Sequence, residues 1–590
     1  MLNYFPLGLK SEFSLLRSFS KAPDIAKRLK ELDLPGGALT DINSVSGALD
    51  FVQAMEKEGL KWILGTRVNI DPFHHITLLA RNLNGWKAIL QILSLASSYN
   101  PGAIPIYEYT HSKISHDDLI CLIGGMGTEI TQSDRYVLDR YIEHFPHLFL
   151  ETPFLGPTES NPIQDATDYK KLESVANPVS YYIYPDDIYD MRILMCRALG
   201  STLNTIEKHI SSLDSELFSA FHSPSHHIPS IDELQLQCSN ESILNTLKIA
   251  DMCETYDITN PPMMPQFTCP NNKDKYDYLV ELTRVGWHKK ISGKGLDEKI
   301  YVERVKKELS VIKEAQLEGY FLIVQDYINW TKNQGVLLSD GRGSIGGSLV
   351  AYLLNITEID PIYYDLIFER FYNAGRNTPG KPPQMPDIDT DFPKYFRENV
   401  IEYIRSKYGV DKVSQVVTFS RMQGRAAIKE VLRVNADVPP SEMNRITEYI
   451  PDEAKINDEL QEMEEETGES SIILWTLQNE ADKLREWCWI DENGKLQGTL
   501  AKRFEQAMRL EGTKVHRSRH ASALVIAPVP LDTICPMLYE DTEYPIAGME
   551  FTTLEQLGLL KMDILGLTSL DKCQTTISLL EETNALCQTS

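Results

Sequence analysis

The sequence contains no Cys-x-x-Cys pair. Its nine cysteines, an odd number, are scattered from Cys121 to Cys587. That excludes a zinc ribbon and a thioredoxin-type redox centre, and it reads as a reduced, cytosolic protein. No run of about 18 apolar residues is present, so no membrane-spanning helix is expected. The N-terminus MLNYFPLGLKSEFSLL lacks the basic region, apolar core and cleavage site of a secretory signal. Positive charge is in deficit. Lysine and arginine number 58 against 84 aspartates and glutamates, a net charge of −26. A uniformly basic nucleic-acid binder is excluded, and any grip on phosphate must come from local clusters. No internal repeat is evident.

The 590 residues have room for roughly three to five domains. Up to residue 260, β-rich runs such as GGALTDI, KWILGTRVNI, HITLLA and HLFLET alternate with helical stretches such as DIAKRLKEL and SGALDFVQAMEKEG. This alternation predicts an α/β domain with a largely parallel sheet. The proline-rich stretch 260–274 reads as a linker. Residues 275–335 turn helical, and GRGSIGGS at 341–348 precedes a long helix-like run. The acidic segment 452–470 reads as a solvated helical face or loop.

Three elements suggest chemistry. In the segment MPDIDTDF, Asp387 and Asp389 share a face if the chain is extended, with Asp391 next in line. Adjacent carboxylates repel unless a cation lies between them, and Mg²⁺ is the natural partner. An EF-hand fits poorly, because Phe392 stands where its sharp turn needs glycine and Pro393 follows; three exposed loop aspartates remain the bland alternative. The second element, LLSDGRGSIGGSLVAYLL, offers backbone N–H groups, the N-terminus of the following helix, Arg342 and Ser344 to a phosphate. It lacks the GK[ST] of a Walker loop and the GxGxxG spacing, and a generic glycine turn is its alternative. The third, GLLKMDILGL, sets Lys561 and Asp563 on one face of an apolar strand, where the carboxylate needs either an ion pair or a metal. Basic clusters suited to phosphate contacts occur twice. Arg421, Arg425, Lys429 and, less squarely, Arg433 follow at spacing four along one expected helical face, and Lys514, His516, Arg517, Arg519 and His520 crowd a short stretch.

Read in order, GRGSIGGSLVAYLLNITEIDP, FERFYN, MPDIDTDF, VVTFSRMQGRAAIKEV, HRSRHASALVIAP and LLKMDILGL resemble the palm and thumb motifs of the C-family DNA polymerase III alpha subunit. ALTDINSVSGALDF and HITLLARNLNGW resemble, more weakly, its polymerase-and-histidinol-phosphatase (PHP) domain. The resemblance implies a multidomain α/β protein. A PHP-like domain of distorted-barrel type (1–262) would precede a polymerase-beta-type nucleotidyltransferase palm (275–432 and 512–575). A helical thumb (433–511) would be inserted into the palm, and a tail (576–590) would follow it.

The resemblance also implies roles. Asp387, Asp389 and Asp563 fall on the catalytic metal ligands, taking two Mg²⁺ ions. Gly343, Ser344, Lys561 and Arg370 fall on nucleotide-binding positions. Asp391 matches a family aspartate outside the ligand set. Arg421, Arg425, Lys429, Arg517 and His520 are the expected DNA contacts. The implied reaction is template-directed nucleotidyl transfer from dNTPs onto a primer–template, in the cytoplasm of a bacterial or phage-infected cell. A PHP-type phosphoesterase and a non-catalytic scaffold or truncated fragment are the rivals.

Two departures from the family stand out. Pro6, Gly8 and Lys10 replace expected histidines, Ile42 replaces another beside the retained Asp41, and Arg67 replaces an acidic ligand; no metal is expected in the PHP-like domain. The insertion RNTPGKPPQ and the segment 452–505 also depart from the pattern. The chain ends where the family's fingers begin. This predicts a split polymerase, whose second chain carries fingers, C-terminal domains and the sliding-clamp contact and docks near Ile577, Leu579 and Leu580.

Overall fold

The computed structural model describes residues 2–69, 75–99, 114–124, 135–152, 172–206, 220–373, 375, 386–468, 470–539 and 544–589. The insertion before the aspartate motif lies outside the described residues. The chain forms two compact units, Met1–Asp257 with Phe419–Ser518, and Ile258–Thr418 with Arg519–Ser590.

In the first unit, eight strands form one sheet: β1 (Gly8–Leu9), β2 (Gly36–Leu39), β3 (Lys61–Asn69), β4 (His75–Ala80), β5 (Leu119–Ile123), β6 (Leu148–Thr152), β7 (Ser174–Ala176) and β8 (Val179–Ser180). Among the described residues their order is β7-β6-β5-β4-β3-β2-β1-β8, an open, curled half-barrel sheet with edges at β7 and β8. Every residue of β4 and β5 is buried, as expected of strands covered on both faces. The pairings are parallel except at β4, which runs antiparallel to both β3 and β5. Gly36 is required where β2 meets β3. Its φ is +156°, and a Cβ there would lie 1.9 Å from the Lys61 carbonyl oxygen.

The segment 419–518 shares a core with the earlier part of this unit. Met191 and Leu194 pack in one cluster with Ile428, Val431, Phe504 and Leu510. Buried Asp190 accepts from Arg509 Nε at 2.6 Å and Gln506 Nε2 at 3.1 Å. The insertion expected from 433 therefore groups with the first unit from residue 419 onward. It carries the two-stranded hairpin of β11 (Trp489–Ile490) and β12 (Leu496–Gln497). Its acidic stretch forms the helix Asn457–Thr467, which buries only Leu460.

The second unit is built on a six-stranded sheet: β9 (Asp389–Pro393), β10 (Val413–Arg421), β13 (Lys514–Ile526), β14 (Met537–Leu538), β15 (Ile546–Ala547) and β16 (Leu560–Leu567), in the order β14-β15-β10-β13-β16-β9; the end of β10 from Phe419 and the start of β13 up to Ser518 belong to the first unit. The helices Lys275–Lys290, Glu298–Glu314 and Glu318–Asn333 belong to this unit. The last contributes Tyr320, Phe321, Val324 and Tyr327 to a core with Phe392, Met562 and Ile564.

Two expectations are corrected here. The stretch 260–274 is no free linker: the Met263 N–H donates to the Gly558 carbonyl at 2.7 Å, and Cys269 is buried. The helix after the glycine loop is short, Leu349–Leu353. Asn355 takes a left-handed φ of +64°, which ends it. Among the described residues no helix is long and apolar enough to cross a membrane.

Candidate metal and nucleotide site

β16 lies between β13 and β9. It runs parallel to β9, in a register that sets Asp563 beside Asp389. The Thr390 hydroxyl donates to the Asp563 carbonyl at 2.9 Å and holds that register. Asp387 lies just before β9, where the following Ile388 N–H donates to the buried Tyr320 hydroxyl at 3.0 Å. One carboxylate oxygen from each of Asp387, Asp389 and Asp563 lies within 4.8 Å of the others. Asp387 is half exposed and Asp563 buried.

Burial, reinforced by the charge of Asp563, pushes the Asp387 carboxyl up to about 6. The same causes raise Asp389. Lys561 opposes this, its Nζ lying 2.7 Å from Asp563 and 3.5 Å from Asp387. Burial works against the ammonium, but its bonds to Asp563 and Asp387 leave its pKa raised. The ion pair and the three-carboxylate cluster, posed as alternatives by the sequence, therefore coexist. Three convergent hard oxygen donors with excess negative charge fit a divalent cation.

The glycine loop lies against the cluster. Gly343 has a φ of +66°, and a Cβ there would stand 3.2 Å from Asp389 Oδ2. Arg342 reaches Asp391 at 3.3 Å and Asp389 at 3.9 Å, which draws Asp391 into a separate ion pair. Ser344 lies on the one-turn element Gly343–Gly347. Arg370 is exposed at the end of the turn Phe368–Arg370.

The helix N-terminus beyond the loop is not open to phosphate, contrary to the sequence reading. The fully buried Glu308 carboxylate accepts from Ser348 Oγ (2.9 Å), Leu349 N (3.0 Å) and Val350 N (2.9 Å). Sequence reasoning missed Glu308; its one signal was Arg304 one helical turn earlier. It also missed Ser522, whose hydroxyl donates to Asp563 Oδ1 at 3.3 Å.

The basic residues divide between the units. His520 belongs to the second; its Nδ1 accepts from the Ser522 and Ala523 N–H groups, and burial lowers its pKa. Arg421, Arg425, Lys429 and Arg517 belong to the first. Arg421 does not share one helical face with Arg425, Lys429 and Arg433. Arg421 ends β10, and the helix starts at Gly424. Arg425 donates to the Ile450 carbonyl and pairs with Asp452 at 3.1 Å. Arg433 is engaged by Glu430. Lys514 is buried against Glu12 at 2.9 Å.

Residues 277–566 match the family described as the bacterial DNA polymerase III alpha NTPase domain, and residues 7–152 match the PHP domain. Proteins named DNA polymerase III subunit alpha align over nearly the whole chain. That of Aquifex aeolicus is 29% identical over 98% of this chain and 52% of its own length. That of Borreliella burgdorferi is 31% identical over 98% and 50%, and that of Escherichia coli K12 30% identical over 96% and 48%. The chain belongs to the bacterial DNA polymerase III alpha family. It spans about half the length of the curated relatives it matches. A solved amidohydrolase from Chromobacterium violaceum aligns with 30% of the chain and 86% of its own at 12% identity, with a TM-score of 0.20, too low to carry a likeness of fold.

In this member of the alpha family, the PHP positions singled out in the sequence hold a charge network. The Lys10 ammonium donates to the Thr40 hydroxyl at 2.9 Å and to the Thr40 carbonyl. Asp41 accepts from Ser11 N (2.7 Å), Ser11 Oγ (2.6 Å) and Ser14 Oγ (2.6 Å). Arg67 lies 2.8 Å from His75 Nδ1. Burial raises the Glu151 carboxyl, and the charges of Arg67 and Lys10 both oppose that rise. A fixed ammonium and a guanidinium at these positions do not fit a cation-binding cluster.

Proposed function

We propose that this chain is the palm-bearing part of a template-directed DNA polymerase acting in replication. The observation that carries the reading is the convergence of Asp387, Asp389 and Asp563, with Gly343 against Asp389. In this reading the three aspartates hold two Mg²⁺ ions. The bound metal supplies Lewis-acid stabilisation of the attacking and leaving oxygens of a phosphoryl transfer. Gly343 and Ser344 hold the triphosphate by backbone N–H and hydroxyl donors. Lys561 offsets the charge of the carboxylate cluster and turns its own charge to the triphosphate when the site loads. The exposed Arg370 adds a second cation there. Arg421, Arg425, Lys429 and Arg517 grip the nucleic-acid backbone without reading its sequence, and His520 serves as a further contact.

The domain roles follow the same reading: PHP-like support (1–262), palm (275–432 and 512–575), thumb (433–511) and C-terminal tail (576–590). A docking partner that carries fingers and the clamp contact belongs to the same reading. Its support here is the exposed apolar row Ile577, Leu579 and Leu580. The test is metal-dependent nucleotide incorporation by the active assembly. Asp389→Ala and Asp563→Ala each abolish it; near-normal incorporation by either variant refutes the ligand assignment.

A further inference from the structure

The helix Glu298–Glu314 supplies no carboxylate to the acidic cluster, yet two of its side chains hold the glycine loop. Arg304 and Glu308 pair across one helical turn at 2.6 Å. Beyond that bond, Glu308 closes on the exit of the loop through Ser348, Leu349 and Val350. Arg304 Nη2 donates to two carbonyls at once, Gly347 at 2.7 Å and Leu366 at 3.0 Å. It thereby ties the Gly343–Gly347 element to the segment leading into the Phe368–Arg370 turn. The two backbones touch: a Cβ on Gly347 would stand 2.6 Å from the Ile367 carbonyl oxygen.

A loop with glycines at φ +153° (Gly341) and +66° (Gly343) has little conformational preference of its own. Its exit is fixed instead by a carboxylate with no exposed side-chain surface and a guanidinium whose planar fork is preorganised for several acceptors. Burial raises the Glu308 carboxyl, and the N–H groups of Val350 and Leu349 oppose that rise, so the charge is matched by donors rather than by water. Because Glu308 already occupies the N-terminus of Leu349–Leu353, the phosphate-binding donors are left to Gly343 and Ser344.

We infer that Arg304 and Glu308 are positioning residues for the nucleotide-binding loop, governing affinity for a metal–nucleotide complex and not for the metal itself. The inference rests on the reading of Gly343–Ser344 given above. The test uses the full chain, with Mn²⁺ binding followed by electron paramagnetic resonance and Mn²⁺-dependent binding of a fluorescent dATP followed by anisotropy. Arg304→Lys keeps the charge but loses the fork, and Glu308→Gln keeps the shape but loses the paired acceptors. Each weakens nucleotide binding by about tenfold or more, as loss of charge-assisted bonds should, and leaves Mn²⁺ affinity within about twofold. Tyr301→Phe, which removes the same helix's bond to Asp360 at 2.7 Å, changes neither.

Unchanged nucleotide affinity in Arg304→Lys overturns the inference, whatever the folding of Glu308→Gln. So does a parallel loss of metal and nucleotide binding with a lowered melting temperature, which marks a merely structural pair. A native chain that binds Mn²⁺ but no nucleotide overturns the reading of the loop itself, and the inference with it.

Discussion

Lys514→Met should destabilise the first unit substantially, and a second substitution should repair it. The Lys514 side chain is 4% exposed and that of its partner Glu12 13%, with Nζ 2.9 Å from Oε1. The ammonium also stands 3.9 Å from the centre of the Phe13 ring. Methionine keeps the length and apolar packing of the lysine stem but leaves Glu12 as a nearly buried charge without its cation. Breaking such a pair costs about 3–5 kcal/mol. The lower end applies, because the Lys514 backbone N–H still donates to Glu12 Oε2 at 3.2 Å. Adding Glu12→Gln removes the orphaned charge, so the double variant should return to within about 1 kcal/mol of the native chain. Urea unfolding of the four proteins yields the coupling energy, expected at about 2 kcal/mol or more. If the two substitutions prove additive within about 0.5 kcal/mol, residues 12 and 514 do not share a buried ion pair, and the placement of Lys514 against Glu12 is wrong.

Other expectations follow from single contacts. Burial raises the Asp41 carboxyl from the ordinary carboxylate range, about 4, to about 6. The folded state therefore binds this proton more tightly than the unfolded state, and stability falls as pH rises from about 4 to 6, by about 3 kcal/mol. Asp41→Asn should remove that slope in melting curves taken from pH 4 to 8; a wild-type-minus-variant difference that is flat across the window contradicts the assignment. Ser522→Ala removes the donor on Asp563 and should lower nucleotide incorporation about two- to tenfold, with unaltered incorporation counting against a positioning role for the hydroxyl. Gly286→Ala would force a Cβ to 1.9 Å from the Leu353 carbonyl. It should lower stability by about 1–3 kcal/mol, read as a shift in the urea midpoint.

The residues most legible in the sequence were those whose spacing matches a local period. Asp387, Asp389, Lys561 and Asp563 lie in short extended runs, where period two sets which side chains share a face. What such spacing does not carry is which strands become neighbours. The parallel pairing of β9 with β16 depends on the whole sheet, and no local pattern near Asp563 announces it. The same limit explains Arg421. Spacing four from Arg425 suggested a helix, but Met422 and Gln423 separate the end of β10 from the helix. The short helix after the glycine loop was overcalled because its apolar run fits helix and coil equally well. A left-handed Asn355, bonded to Asn329 Oδ1 at 3.0 Å, decided the matter. Glu308 and Ser522 escaped notice because the bonds that tie them to the site, to Ser348, Leu349 and Val350 and to Asp563, join residues distant in sequence.

The parallel register of β9 and β16 also sets a timetable. Thr390 and Asp563 are bonded across 173 residues of chain. At about 5–20 residues per second, synthesis of the intervening stretch takes about ten to thirty seconds. Throughout that interval β9 exists without the strand that pairs with it, and Asp387 and Asp389 without their third carboxylate. The segment that emerges meanwhile includes the helices between 424 and 510, which have their own core to join. Cation binding by the nascent chain should therefore begin abruptly, once β16 leaves the ribosome, and not grow in step with chain length.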